Sequence, residues 1–231
     1  MCRLRRKLLL FDYIIGKLVE WQAKRDFVQL SVNETNEILS TFKGKRLMKL
    51  VYFICLEDTL LVKENNDDFS VEDTLFGTFD NHVAMPAGPA ENTLYSNRSI
   101  LFRFDFSTGE LRVANSFTDQ IKYNYSGVTE DDYATALDND RRKNLLHNQL
   151  VSLDNNNRNE INLLRLTEKI DNSIEALKKL NQFPFDDTEK LVNITHSLPL
   201  WNKFIREENK AFNLNNQNLS EEVSKFRNIL N

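Results

Sequence analysis

Apolar side chains between residues 8 and 24 recur at spacings of three and four. Phe11, Ile14, Ile15, Leu18 and Trp21 fall on one stripe, with Asp12, Lys17, Glu20 and Lys24 on the other. The period predicts an amphipathic helix that packs on something larger. A short helix over Val32 to Phe42 follows, with Ser31 or Asn33 as its cap. The next segment, RLMKLVYFICLEDTLLV, carries Lys49 as its only charge between Leu47 and Leu56. A buried strand would be shorter, so residues 45–62 are expected to form a helix apolar on all sides, central to the core.

Two segments break the helical pattern. In SILFRFDFSTGELRVANSF, Ile100, Phe102, Phe104 and Phe106 alternate with Leu101, Arg103 and Asp105, which is the period of a strand. STGE would supply a turn and Leu111 and Val113 the returning strand, a small β-hairpin at about 99–117 that needs helices beneath it. FDNHVAMPAGPAENTLYSN, residues 79–97, has neither period and concentrates two prolines and a glycine. It reads either as a structural corner or as a docking surface.

Thr129 with Asp132 resembles a helix start. Leu163, Ile170 and Leu177, with Leu166 and Ile174 between them, mark a long helix, read as a bundle helix with a homotypic coiled coil as the alternative. NQFPFDD ends it and Asp187 caps the next helix. The Asn-rich tail is expected to cap at Ser220 into a short terminal helix bearing Val223, Phe226 and Leu230. The predicted fold is therefore α+β: a predominantly α-helical bundle around a central apolar helix, with one small hairpin. Residues 1–209 would form a single domain and 210–231 a tail.

Composition sharpens this picture in three places. The 231 residues are 41% hydrophobic and 28% charged with a formal net charge of −4, so the chain lacks the basic excess that draws proteins to phosphate backbones. Nucleic acid is an unfavoured partner. Cys2 and Cys55 make no disulfide framework, as expected of a reduced, cytoplasmic protein. MCRLRRKLLLFDYIIG begins like a signal peptide, but Asp12 interrupts the apolar run and no small-residue cleavage site follows; no membrane span is expected.

Candidate chemistry is sparse. His82, His147 and His196 lack the paired spacing of a metal site, and no cofactor is expected. His147 reads as a helix-surface residue. Cys55 with His196 could pair as nucleophile and base, yet a thiol in an apolar helix is raised in pKa and hidden. The glycines of GTFDNHVAMPAGPAE have neither the spacing nor the lysine of a phosphate loop. Arg5, Arg6, Lys7 and the KGKR of 43–46 lack interleaved aromatic platforms and read as solvated helix ends.

Three segments together point further. KRLMKLVYFICLE, then FDNHVAMPAGPAENTLY, then LVNITHSLPLW resemble, in order and rough spacing, the Panacea domain family, the SocA-like antitoxins of bacteria and their phages. By that resemblance Leu47, Lys49, Leu50, Tyr52 and Phe53 match a core-helix motif of the form LKLxKLLYF. Gly88, Pro89, Glu91 and Tyr95 match a GPV-type element, with Ala87 where the family often has an aromatic residue and Ala90 where it has Val. His196, Ser197 and Trp201 match the terminal motif. The resemblance runs over residues 10–205. It implies no catalytic residues and a cognate protein toxin as partner, masked directly or delivered to a protease. Asp80, His82, Met85, Pro86, Gly88, Pro89, Glu91, Tyr95, His196 and Trp201 are the candidate partner-binding residues. The alternatives are a regulatory or phage-associated binding protein of the same fold, a DNA-binding autorepressor, against which the acidic balance counts, and a Cys55–His196 hydrolase.

Overall fold

The computed structural model describes residues 3–25, 30–42, 44–66, 68–101, 163–204 and 214–230. It divides into two compact units, Met1–Phe42 with Ser96–Arg165, and Lys43–Tyr95 with Leu166–Asn231. Elements are numbered in chain order through the described residues, which are mostly helical with one two-stranded antiparallel sheet.

In the first unit, α1 (Arg3–Ala23) buries Phe11, Ile14, Ile15 and Leu18 of the predicted stripe together with Leu10 and Val19, while Trp21 is half-buried. Among its expected outward residues, Lys17 pairs with Glu20 at 2.9 Å, a step of three along the helix. α2 (Val32–Thr41) starts at Ser31 through a full capping box, in which the hydroxyl accepts the Glu34 amide and the Glu34 carboxylate accepts the Ser31 amide. Arg25 adds an ion pair to that carboxylate at 2.5 Å.

The second unit is built round α3 (Gly44–Asn65), which is buried without a break from Arg46 to Leu60. A helix buried on all faces needs covers on all faces. They are α4 (Leu75–Thr78), the hairpin β1 (His82–Met85) and β2 (Gly88–Glu91), α7 (Thr188–Ser197) and α9 (Asn216–Leu230). α5 (Asn92–Leu101), α6 (Leu163–Lys179) and α8 (Pro199–Phe204) complete the described helices. Phe53 stacks on Phe226 of α9, with centroids 5.3 Å apart and planes at 19°, and meets Phe183 edge-on at 5.6 Å. Two of the charged groups that α3 carries into this core are ion-paired. Asp58 accepts the Leu75 amide at 2.6 Å at the start of α4 and pairs with Lys169 of α6 at 3.1 Å, while Arg46 pairs with Asp186 at 2.8 Å and lies over the Phe185 ring.

Three expectations need correction. The strand expected to start at about 99 is contradicted over residues 99–101, which are the end of α5; the rest of that expected hairpin, 102–117, lies outside the described residues, as do Thr129, Asp132 and His147. The sheet is instead made by the segment that showed no period. Secondly, the helix after Asp187 breaks at Leu198, because Pro199 has no amide to continue the ladder and starts α8. Thirdly, the terminal helix begins at Asn216, where the Asn215 side chain accepts the Asn218 amide, so Ser220 is interior. That helix is no appendage, since Leu219, Glu222, Val223, Phe226 and Leu230 are all buried.

Truncating the stacked pair tests this architecture. Phe53→Ala should cost about 3–5 kcal/mol, and Phe53→Ala with Phe226→Ala should cost less than the sum, because the two rings share one contact. Urea midpoints followed by Trp201 emission in a Trp21→Phe background would measure both.

Candidate functional site

The irregular segment folds as a tight hairpin because its special residues sit where a turn needs them. His82 pairs with Glu91, Val83 with Ala90, Ala84 with Pro89 and Met85 with Gly88, leaving Pro86 and Ala87 as the turn. Proline pre-sets the first turn position, and Gly88 takes φ +100°, which other residues avoid. A Cβ on Gly88 would stand 2.5 Å from Thr195 Oγ1 and 3.0 Å from Lys49 Nζ. Only glycine lets the strand approach both.

Two distant elements, α3 and α7, meet this hairpin from behind. Lys49 Nζ, on α3, donates to the Pro89 carbonyl. Thr195, on α7, abuts Gly88 and turns its hydroxyl proton onto the Val192 carbonyl at 2.7 Å. His196 follows Thr195 on α7, and its Nε2 is buried with no hydrogen-bond partner. The imidazole stacks on the Trp201 indole, with centroids 4.9 Å apart and planes at 16°. The segments that carry the family resemblance thus meet around one turn.

A second polar contact ties α9 to the same framework. The Tyr52 hydroxyl donates to Glu222 Oε1 at 2.6 Å, and the Leu200 amide in the first turn of α8 donates to Oε2 at 2.7 Å. Tyr52 also meets His82 edge-on at 5.6 Å, and His82 meets Phe76 at 5.1 Å, so His82 is a buried ring among aromatic rings.

Burial dominates the electrostatics. It pushes the Lys49 amine down to about 7 and lifts the Glu222 carboxyl to about 7, in the second case against the pull of its two donors. His196 is lowered first by burial and then by the charge of Lys49, with the Pro86 carbonyl opposing both. Cys55 is wholly buried and its thiol is pushed well up by burial, which removes it as an accessible nucleophile.

The candidate residues separate by exposure. Pro86 is exposed and Asp80, Met85, Tyr95 and His196 are half-buried, whereas His82, Gly88, Pro89, Glu91 and Trp201 are buried. Glu91 in particular was expected at an open corner. It is 1% exposed, and its carboxylate accepts the amides of Asn81 at 3.3 Å and of Leu94, in the first turn of α5, at 2.7 Å. Glu91 is therefore part of the framework that anchors the hairpin. Thr195 and Glu222 were not singled out from the sequence. Glu222 could have been, because it lies three residues after Leu219 and four before Phe226, on the apolar face of its helix.

Among the described residues no group of three or more His, Cys, Asp or Glu side chains could hold a metal ion, and no helix is long and apolar enough to cross a membrane. No protein-family model, no curated protein and no solved structure matches the chain.

Gly88→Ala should destabilise the protein by about 2 kcal/mol from the left-handed backbone alone, with a further steric part that Thr195→Ala relieves; denaturation of the single and double variants separates the two. The pH profile has two limbs. Glu222 has its folded pKa raised above 4.5 to about 7, so its contribution is full below pH 4.5 and is lost as pH rises to 7. Lys49 has its folded pKa lowered from 10.5 to about 7, so its contribution is full above pH 10.5 and is lost as pH falls to 7. The Glu222 limb is on the order of 3 kcal/mol and the Lys49 limb on the order of 5 kcal/mol. Glu222→Gln should flatten the acid limb relative to wild type and Lys49→Met the alkaline one, read from urea midpoints across pH.

Proposed function

We propose that the chain is an antitoxin-like interaction protein that binds and neutralises a cognate, genetically adjacent protein toxin, and that the hairpin turn is part of the contact surface. The observation that carries this reading is the convergence of the three motif segments on one turn. Lys49 donates to the Pro89 carbonyl and Thr195 packs on Gly88, while Pro86 stays exposed and Met85 half-buried at the tip. A segment held this way loses little conformational freedom when it is covered by a partner. Framework residues such as Glu91, Gly88 and Trp201 then shape the surface from beneath, and the partner touches the rim.

Cys55 is wholly buried and its thiol is pushed well up by burial, so it is out of reach of a substrate. In this reading the protein works by binding, either masking the toxin or presenting it to a protease.

Expression of the adjacent open reading frame in a bacterial host, with and without this protein, tests the reading. Growth arrest relieved by co-expression is the expected outcome, and a harmless neighbour overturns it. Pro86→Glu, which alters only the exposed tip, should weaken rescue and pull-down of the toxin by about tenfold or more while the melting temperature holds within a few degrees. Full rescue by that variant would move the contact surface elsewhere.

A further inference from the structure

Two contacts mark the face that α3 turns toward α9. Phe53 stacks on Phe226 with centroids 5.3 Å apart, and Glu64 accepts from the Arg227 guanidinium at 2.7 Å. Phe53, Glu57, Leu60 and Glu64 follow one another at steps of four, three and four residues, so all four lie on one stripe of the helix. Glu57 is thereby placed in the seam, one turn beyond the stacked rings and two turns short of the ion pair. It is 3% exposed, and its Oε2 is buried without a hydrogen-bond partner. Arg227 and Glu64 sit at the rim, with 36% and 58% of their side chains exposed. These two are the charged groups that bear on Glu57: burial raises its pKa most, Arg227 pulls it back and Glu64 raises it again.

The seam is otherwise apolar, with Leu60, Val223, Phe226 and Leu230 buried, and packing alone would be served better by Leu at position 57. A neutral carboxyl tolerates such a place, whereas an ionised one without a partner opposes folding. The cation that acts on it, Arg227, follows Phe226 directly and carries five donors in a planar fork. It is committed to Glu64, in a pairing between solvated groups that contributes little. The same guanidinium holds a desolvated carboxylate more strongly. Arg227 thus has two acceptors at different depths, and the charge on the inner one decides between them.

We propose that Glu57, Glu64 and Arg227 form a proton-operated latch on the seam between α3 and α9: with Glu57 protonated, Arg227 pairs with Glu64 at the rim, and when Glu57 gives its proton to solvent, Arg227 turns inward to it and frees Glu64. The structure holds the first state. Because the Glu57 pKa is raised by folding, its neutral form supports the fold fully below the ordinary carboxylate value of 4.5, and that support is lost as pH rises through the folded value. Arg227 takes over in that window. The switch changes which turn of α3 the end of α9 is tied to, and it does not depend on the toxin reading above.

The test uses the full chain. NMR follows the Glu57 carboxyl carbon and Arg227 Nε through a pH titration, and urea midpoints of Glu64→Gln, Arg227→Gln and the double variant are taken on either side of the Glu57 midpoint. Glu57 should titrate above 4.5, with a step in the Arg227 Nε resonance at the same midpoint that Glu57→Gln abolishes. The Arg227–Glu64 coupling from the double-mutant cycle should fall by about half or more from the acid to the alkaline side. A second cycle with Glu57→Gln in place of Glu64→Gln should show the opposite, a coupling that appears only on the alkaline side. Glutamine at 57 copies the shape of the neutral acid, and the other two changes lie at the rim, so all variants keep the core. An Arg227–Glu64 coupling that is equal on both sides, or a Glu57 that titrates at the ordinary carboxylate value, overturns the proposal.

Discussion

The second unit depends on a single amine carried into an apolar core. α3 is buried along fifteen consecutive residues, Arg46 to Leu60, and Lys49 near its start gives the Pro89 carbonyl a donor. A hairpin of two four-residue strands is marginal by itself. Here it is held because its backbone reaches polar atoms on the elements behind it. The same choice makes the core sensitive to pH: an amine and a carboxyl, both taken from water onto α3 and α9, are each brought to the middle of the physiological range by the same desolvation.

The candidate site is consequently organised in two depths. At the inner level Lys49, Thr195 and Glu91 hold main-chain atoms of the hairpin or of the helix that follows it. At the outer level Pro86, Met85 and the edge of His196 meet the surroundings. His196 belongs to both, with its Nε2 buried and its ring laid on Trp201. A change at the inner level alters the shape of the tip without touching whatever binds there, so positions that resemble a recognition motif need not themselves be points of contact.

The helices were legible because burial on one face imposes a period, and α1, α2, α3 and α6 sit where the spacing of Phe11, Ile14 and Leu18, the Ser31 cap, the run from Leu47 and the sevens from Leu163 place them. The hairpin was not, for a physical reason. His82, Val83 and Ala84 are buried consecutively, as are Gly88, Pro89, Ala90 and Glu91, so neither strand alternates, and a proline inside a strand argues against one. The useful signal was the turn itself, Pro86 followed two residues later by Gly88. Of the site, Lys49 could be noticed as a lone charge in an apolar run, but its partner is a main-chain carbonyl forty residues away, which no side-chain pattern reports. Glu91 was misplaced because a glutamate beside a Pro-Ala-Gly-Pro turn looks solvated, whereas it serves the Asn81 amide and the Leu94 amide, the latter an orphan only once α5 has begun.

The contact between Tyr52 and Glu222 joins residues 170 positions apart. A chain emerging from the ribosome makes α3 early and its cover α9 very late, so for most of synthesis the ring of Phe53 and the hydroxyl of Tyr52 have no native neighbour from that side. Translation that stops before Asn216 leaves the α9-facing side of α3, the most continuously buried of the described helices, open to solvent. The α9 cover therefore reaches α3 only after a long interval of synthesis, in which chaperones, proteases or a partner can act on the uncovered face.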